Sequence, residues 1–187
     1  MITANDLRQG TTIDLDGELY SVEEFNHVKR GRGGAFVRTR LKNLQSGDTL
    51  RKVFPPQEKI QDAFISSVPA QFLYQDGDNY HFMEQNTFEE RIISRELLGE
   101  KAGFLPPNVE VSLSVYRERV IGVELPSAVD LTVRRADPGL KGDTAGSATK
   151  PVTLESGYTL RVPLFINEGD VVKVDTRTGE YLGKGSQ

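Results

Sequence analysis

Turn-forming residues interrupt this chain at short intervals, and this pattern restricts its fold more than any other feature. Clusters such as Asp16-Gly17, Asp76-Gly77-Asp78 and Glu168-Gly169-Asp170 favour tight turns. Between the turns lie about twelve short runs, alternating or apolar, that have the length of strands. Residues 94–103 favour one short helix with Ser94 as its N-cap. Many short strands and very little helix predict an all-β protein.

Two boundaries divide the strand runs into three groups. Ser66-Ser67-Val68-Pro69 and Pro126-Ser127 each follow one group and precede the next. They separate residues 1–65, 66–126 and 127–187, and each piece is near the lower size limit for a self-sufficient core. We therefore expect three small β-barrel domains in series rather than one sandwich.

Residues 27–44, HVKRGRGGAFVRTRLKNL, predict a hairpin on which positive charge is concentrated. The net charge of the chain is -4, yet residues 27–52 hold eight Lys or Arg and a single acidic residue, Asp48. After the glycine-rich tip the sequence alternates with period two, so the two faces of the strand differ: Phe36, Arg38, Arg40 and Lys42 on one, Val37, Thr39 and Leu41 on the other. An ordinary flexible turn would also use such glycines, but the flanking basic face favours a loop that contacts RNA phosphate at chosen points.

Catalytic and metal-binding constellations are missing from the sequence. The chain has no cysteine and only two histidines, His27 and His81, for which structural roles are favoured. Glu23 and Glu24 are neighbours on a predicted strand, so their side chains should diverge instead of forming an acid/base pair. We expect a protein that is not an enzyme and needs no cofactor or metal. With no signal-peptide pattern or apolar membrane span, we expect it in the cytoplasm, without a membrane partner.

The whole chain resembles the bacterial translation elongation factor P family. HVKRGRGGAFVRTRLKNLQSG resembles the family's first-domain hairpin, and KPVTLESGYTLRVPLFINEG resembles its third-domain signature, with Val152 where alanine is usual. GDTAGS at residues 142–147 and the final VDTRTGEYLGK are also similar. The resemblance implies an SH3-like, KOW-type barrel followed by two OB folds, in an elongated shape like that of tRNA.

The resemblance also implies a function and its partners. Such a factor binds the ribosome between the P and E sites as a monomer. There it contacts peptidyl-tRNA and initiator tRNA in the P site, and mRNA in the E site. It stimulates peptide-bond formation at stalling sequences such as consecutive prolines, while ribosomal RNA makes the bond. A paralogue of the family and a general OB-fold RNA-binding protein are the alternatives. Few, scattered aromatic residues argue against the second.

The family's functional positions can be carried over to this sequence. Arg32 would be the tip that reaches peptidyl-tRNA, between glycines that allow close approach (Gly31, Gly33 and Gly34). Basic residues of the hairpin would contact tRNA phosphates: Lys29, Arg30, Arg38, Arg40 and Lys42. Gly142, Asp143 and Thr144 would meet the E-site codon. The family modifies its tip, and Arg32 excludes any addition that needs a lysine amine. A bare arginine, which we favour, and a rhamnosylated one made by a tip-modifying enzyme both stay open.

Overall fold

The computed structural model describes residues 1–30, with Arg30 as backbone alone, 34–137 and 148–186. These residues form three antiparallel sheets, one short α-helix and two 3₁₀ segments, the first of which is Ala4–Asp6. This confirms the all-β prediction and fits three β domains. The chain divides into two compact units, Met1–Ser66 with Ser114–Ile121, and Ser67–Leu113 with Gly122–Gln187. These limits differ from the predicted domains 1–65, 66–126 and 127–187, whose boundaries stay predictions.

The first sheet has six strands in the order β1-β6-β2-β3-β4-β5. Their bounds are Ile2–Thr3 (β1), Thr12–Leu15 (β2), Glu18–Arg30 (β3), Gly34–Asn43 (β4), Thr49–Phe54 (β5) and Lys59–Asp62 (β6). The core of this sheet is apolar and includes Ile13, Val22, Val37, Leu41 and Phe54. Because alternate residues of β4 enter this core, their neighbours on β4 must face away from it.

The second sheet has five strands in the order β11-β10-β7-β8-β9. Their bounds are Ser66–Asp76 (β7), Asn79–Glu84 (β8), Glu90–Ser94 (β9), Glu110–Tyr116 (β10) and Arg119–Glu124 (β11). Between β9 and β10 lie the helix α1, Arg95–Leu98, and a 3₁₀ segment, Gly99–Phe104. The hydroxyl of Ser94 accepts a hydrogen bond from the backbone N–H of Leu97, so the predicted cap is confirmed.

The third sheet has five strands in the order β14-β13-β12-β15-β16. Their bounds are Ala128–Ala136 (β12), Thr149–Leu154 (β13), Thr159–Pro163 (β14), Val171–Asp175 (β15) and Tyr181–Lys184 (β16). Pro163 ends β14, an edge strand of this sheet, where a residue without an N–H disturbs the ladder least.

Within the second compact unit, the 3₁₀ segment packs against the turn between β13 and β14. The rings of Phe104 and Tyr158 lie with their centroids 4.6 Å apart. The Ser156 hydroxyl donates a hydrogen bond of 2.7 Å to the carbonyl oxygen of Gly103. Phe104 thereby belongs to the core of the third sheet, although in the sequence it lies between β9 and β10 of the second sheet. None of the helices in the described part of the chain is long and apolar enough to span a membrane.

Candidate nucleic-acid interface

The hairpin of β3 and β4 is the longest paired element of the first sheet. Its ladder runs from Tyr20 opposite Asn43 to Arg30 opposite Gly34. Strand β5 pairs with β4 only between Val37 and Lys42, so the remaining part towards the tip is a two-stranded ribbon. Gly34 opens β4 with φ +81°, a left-handed conformation that an L side chain rarely adopts. The predicted tip residues Gly31, Arg32 and Gly33 lie outside the described residues.

The predicted alternation along β4 is confirmed by burial. Val37, Thr39 and Leu41 are buried, whereas Arg38 and Lys42 are exposed and Arg40 is partly exposed. We call the solvent side of β3, β4 and β5, which carries Arg38, Arg40 and Lys42, the outer face. A strand whose inner residues must fill the core fixes its basic residues on the other side.

Arg51 joins this surface, and it was missing from the predicted contact residues. It stands directly opposite Arg40 in the β4–β5 ladder, and directly opposed residues share a face. Alternation within residues 50–54 could have revealed it, since Phe54 is buried while Arg51 and Val53 are exposed. The outer face therefore carries four cations from two neighbouring strands.

The expectation that Glu23 and Glu24 diverge is wrong. The ladder shifts register between Val22 and Glu24, so Glu23 is an extra residue in β3. Glu23 Oε2 lies 3.1 Å from Arg40 Nε, and Glu24 Oε1 lies 3.4 Å from Arg40 Nη1. Strict strand alternation separates adjacent side chains, but the bulge lets both carboxylates reach one guanidinium.

The other outer-face cations differ from Arg40 in their surroundings. Within the described ranges, Arg38, Lys42 and Arg51 have no carboxylate within ion-pair distance. The Arg38 guanidinium lies 5.9 Å from the centroid of the Phe36 ring, a cation–π contact that leaves its charge intact. These three side chains are open to an anionic partner, and salt will screen that attraction.

Lys29 does not lie with the outer-face cations. It pairs with Ala35, and the alternation places it on the side of His27 and Phe25. The His27 ring meets Phe25 edge-on, with centroids 5.8 Å apart. The hairpin of β3 and β4 therefore carries cations on both of its sides. Of Arg30, only the backbone pairing with Gly34 is described.

The predicted codon-contact residues Gly142, Asp143 and Thr144 fall between β12 and β13, outside the described residues. No group of three or more His, Asp or Glu side chains in the described ranges could hold a metal ion. The described cations of the outer face are groups that can bind an anion such as phosphate.

Three family models match successive parts of the chain. They are described as the elongation factor P KOW-like domain at residues 3–60, the elongation factor P OB domain at residues 65–123, and elongation factor P, C-terminal, at residues 129–184. The chain belongs to the elongation factor P family. It is accordingly a translation elongation factor.

Curated relatives match this factor along nearly its whole length. Elongation factor P of Natranaerobius thermophilus and that of Moorella thermoacetica are each 47% identical to it over 182 residues. These matches cover 97% of the factor and 97% and 98% of the two relatives.

Solved structures of translation factor 5A share part of the fold. The eukaryotic translation initiation factor 5A from Methanococcus jannaschii is 21% identical to this chain, with a TM-score of 0.53. The match covers 67% of this chain and 90% of the Methanococcus chain. A translation initiation factor 5A family protein from Naegleria fowleri is 13% identical, with a TM-score of 0.54. That match covers 66% of this chain and 96% of the Naegleria chain. At these identities the likeness concerns the fold alone.

Proposed function

We propose that the factor binds the ribosome between the P and E sites and stimulates peptide-bond formation at stalls such as consecutive prolines. Family membership supports the class of activity. The observation that carries the proposal is the cluster of Arg38, Arg40, Lys42 and Arg51 on one solvent-facing surface of an otherwise acidic chain. Such a focused positive surface attracts a polyanion to one place without coating it.

In this proposal the outer face lies on the acceptor arm of the P-site tRNA. Contacts to phosphate give affinity and fix orientation, but they carry no sequence information. A factor that must accept many different peptidyl-tRNAs needs contacts of this kind. Each phosphate contact should add about 0.7 to 0.9 to the slope of log affinity against log salt concentration. Lys29, on the other side of the hairpin, would meet different phosphates from those met by Arg38.

Arg32 is the residue that we assign to the peptidyl end of the tRNA. A guanidinium stays charged and offers five donors in a fixed plane, which suits the sugar and phosphate oxygens of the CCA end. The glycines on either side carry no Cβ atoms and would leave room for close approach. The factor would act by positioning the substrate and by electrostatics, because ribosomal RNA performs the chemistry.

The state of Arg32 and the role of the third sheet complete the proposal. We favour a bare arginine over a rhamnosylated one, and the intact mass of the native protein distinguishes them by one deoxyhexose. Gly142, Asp143 and Thr144 would meet mRNA in the E site. Initiator tRNA in the P site would be bound in the same way as peptidyl-tRNA. The factor would work in the cytoplasm.

Reconstituted translation tests the proposed function. The reporter encodes Pro-Pro-Pro, and a matched reporter without prolines serves as reference. We expect the wild-type factor to speed synthesis of the Pro-Pro-Pro reporter but not of the reporter without prolines. Arg32→Ala should lose that effect. Lys59→Ala, which removes a cation from β6, should act like the wild type. Equal synthesis of the proline reporter with and without the factor would exclude the proposal and leave the paralogue or general RNA-binding alternatives.

A further inference from the structure

Two carboxylates stand in the middle of the cationic outer face. The ion pairs of Glu23 and Glu24 engage two different nitrogens of the same guanidinium, that of Arg40. A guanidinium has a fixed set of donors, so each donor held by a carboxylate is withdrawn from phosphate. Arg40 thus differs from Arg38, which the described residues leave without a carboxylate.

The bulge in β3 lets both carboxylates reach the Arg40 guanidinium. Leu41 pairs with Val22 and Arg40 pairs with Glu24, so Glu23 is inserted between the two rungs. A regular ladder would place a single residue opposite Arg40 and give it one carboxylate. Bulges re-aim side chains in this way and are frequent near functional surfaces.

Relief of charge repulsion explains only part of the arrangement. Arg40 lies directly opposite Arg51, and like charges in that position destabilise a ladder. One carboxylate would be enough to neutralise Arg40. With both carboxylates bound to Arg40, the outer-face cations that remain open to phosphate are Arg38, Lys42 and Arg51.

We infer that Glu23 and Glu24 are specificity-determining residues, which withhold Arg40 from phosphate and so weaken binding to RNA that does not fit the other three cations of the outer face. The inference rests on the proposed RNA contact of this face. Specificity is a difference between affinities, and lowering the affinity for wrong partners increases it. A cell holds a large excess of RNA that could compete for an uninterrupted row of cations.

The test measures binding of two RNAs as a function of salt. The probes are a short RNA duplex of arbitrary sequence and a purified initiator tRNA, and the variant is Glu23→Gln/Glu24→Gln. We expect about 2- to 5-fold tighter binding of the duplex near 0.1 M salt, as befits exposed ion pairs. The salt slope should steepen by about 0.7 to 0.9, equivalent to one more phosphate contact. Asp16→Asn/Glu58→Gln, which removes two exposed carboxylates outside the outer face, is the matched control.

Two further variants make the outcome decisive. Adding Arg40→Gln to Glu23→Gln/Glu24→Gln should abolish the gain, because the gain depends on the freed guanidinium. Unchanged or weaker duplex binding by Glu23→Gln/Glu24→Gln would overturn the inference, as would an equal gain in the Asp16→Asn/Glu58→Gln control. Arg38→Gln/Lys42→Gln separates the two proposals. Weaker tRNA binding by that variant leaves the RNA contact standing, whereas unchanged binding refutes both the contact and the inference.

Discussion

Arg40 and Arg51 face each other across the ladder of β4 and β5, on the solvent side of the first sheet. The pairing makes Arg51 part of the proposed tRNA contact. Arg51 has no carboxylate within ion-pair distance among the described residues, so its charge is available to phosphate.

We expect Arg51→Gln to weaken tRNA binding and to lower the salt slope by about 0.7 to 0.9, through loss of one phosphate contact. Fluorescence anisotropy over a range of salt concentrations measures both. Lys59→Gln on β6 makes the same change of charge away from the outer face. If both variants weaken binding equally, Arg51 acts through net charge and not through a contact.

Glu84 should make the stability of the second sheet depend on pH. A hydrogen bond from the Thr87 hydroxyl and the Arg91 guanidinium lower the pKa of this buried carboxyl. A lowered carboxyl pKa stabilises the fold above the unfolded-state pKa, near 4.5, and that contribution is lost as the pH falls through the folded-state pKa. Glu84→Gln should therefore reduce Tm at pH 7 and leave it nearly unchanged in strong acid.

Thermal unfolding of the two proteins between pH 2.5 and 7 measures this effect. Glu100→Gln, in the 3₁₀ segment, is the control, since Glu100 is exposed and has no ion pair among the described residues. A constant difference in Tm between wild type and Glu84→Gln across the whole range would refute the linkage.

Gly179 and Gly77 form a matched pair for testing the packing of Tyr158. Both have positive φ, +72° and +59°. A Cβ at Gly179 would collide with the Tyr158 hydroxyl, whereas a Cβ at Gly77 would meet open space. Alanine should cost about 1 kcal/mol at either site through backbone strain, and about 1 to 3 kcal/mol more at Gly179 through overpacking.

Urea denaturation of Gly179→Ala and Gly77→Ala measures the loss in free energy of unfolding for each variant, and so the difference between the two losses. Tyr158→Ser should remove most of the extra cost of Gly179→Ala, because it deletes the ring that the new methyl group meets. Equal losses in the two alanine variants would show that strain alone accounts for both.

Strand periodicity predicted most of the fold, because apolar residues that fill the cores alternate with polar residues along the strands. The two faces of β4 follow from Val37, Thr39 and Leu41 entering the core. Short or proline-containing strands such as β6 and β13 were not predicted. Each depends on a neighbouring strand for its hydrogen bonds, as in the pairing of β13 with β12 and β14.

The candidate interface was predicted in part. Arg38, Arg40 and Lys42 were placed together correctly, because period-two alternation puts residues i, i+2 and i+4 on one side. The bulge at Glu23 and the pairing of Arg51 with Arg40 could not be predicted, because register between strands is not contained in the periodicity of one strand.

Directed hydroxyl-radical probing tests the central claim, that the outer face lies on the P-site tRNA. The chain has no cysteine, so a single introduced one can carry a tethered iron chelate. Asn26 is exposed and directly opposite Arg38 on the outer face, which makes Asn26→Cys the probe position. Glu58→Cys, in the turn between β5 and β6, is the control. We predict cleavage of the tRNA acceptor arm from position 26 and not from position 58. Cleavage from position 26 elsewhere, with the acceptor arm intact, would contradict the account.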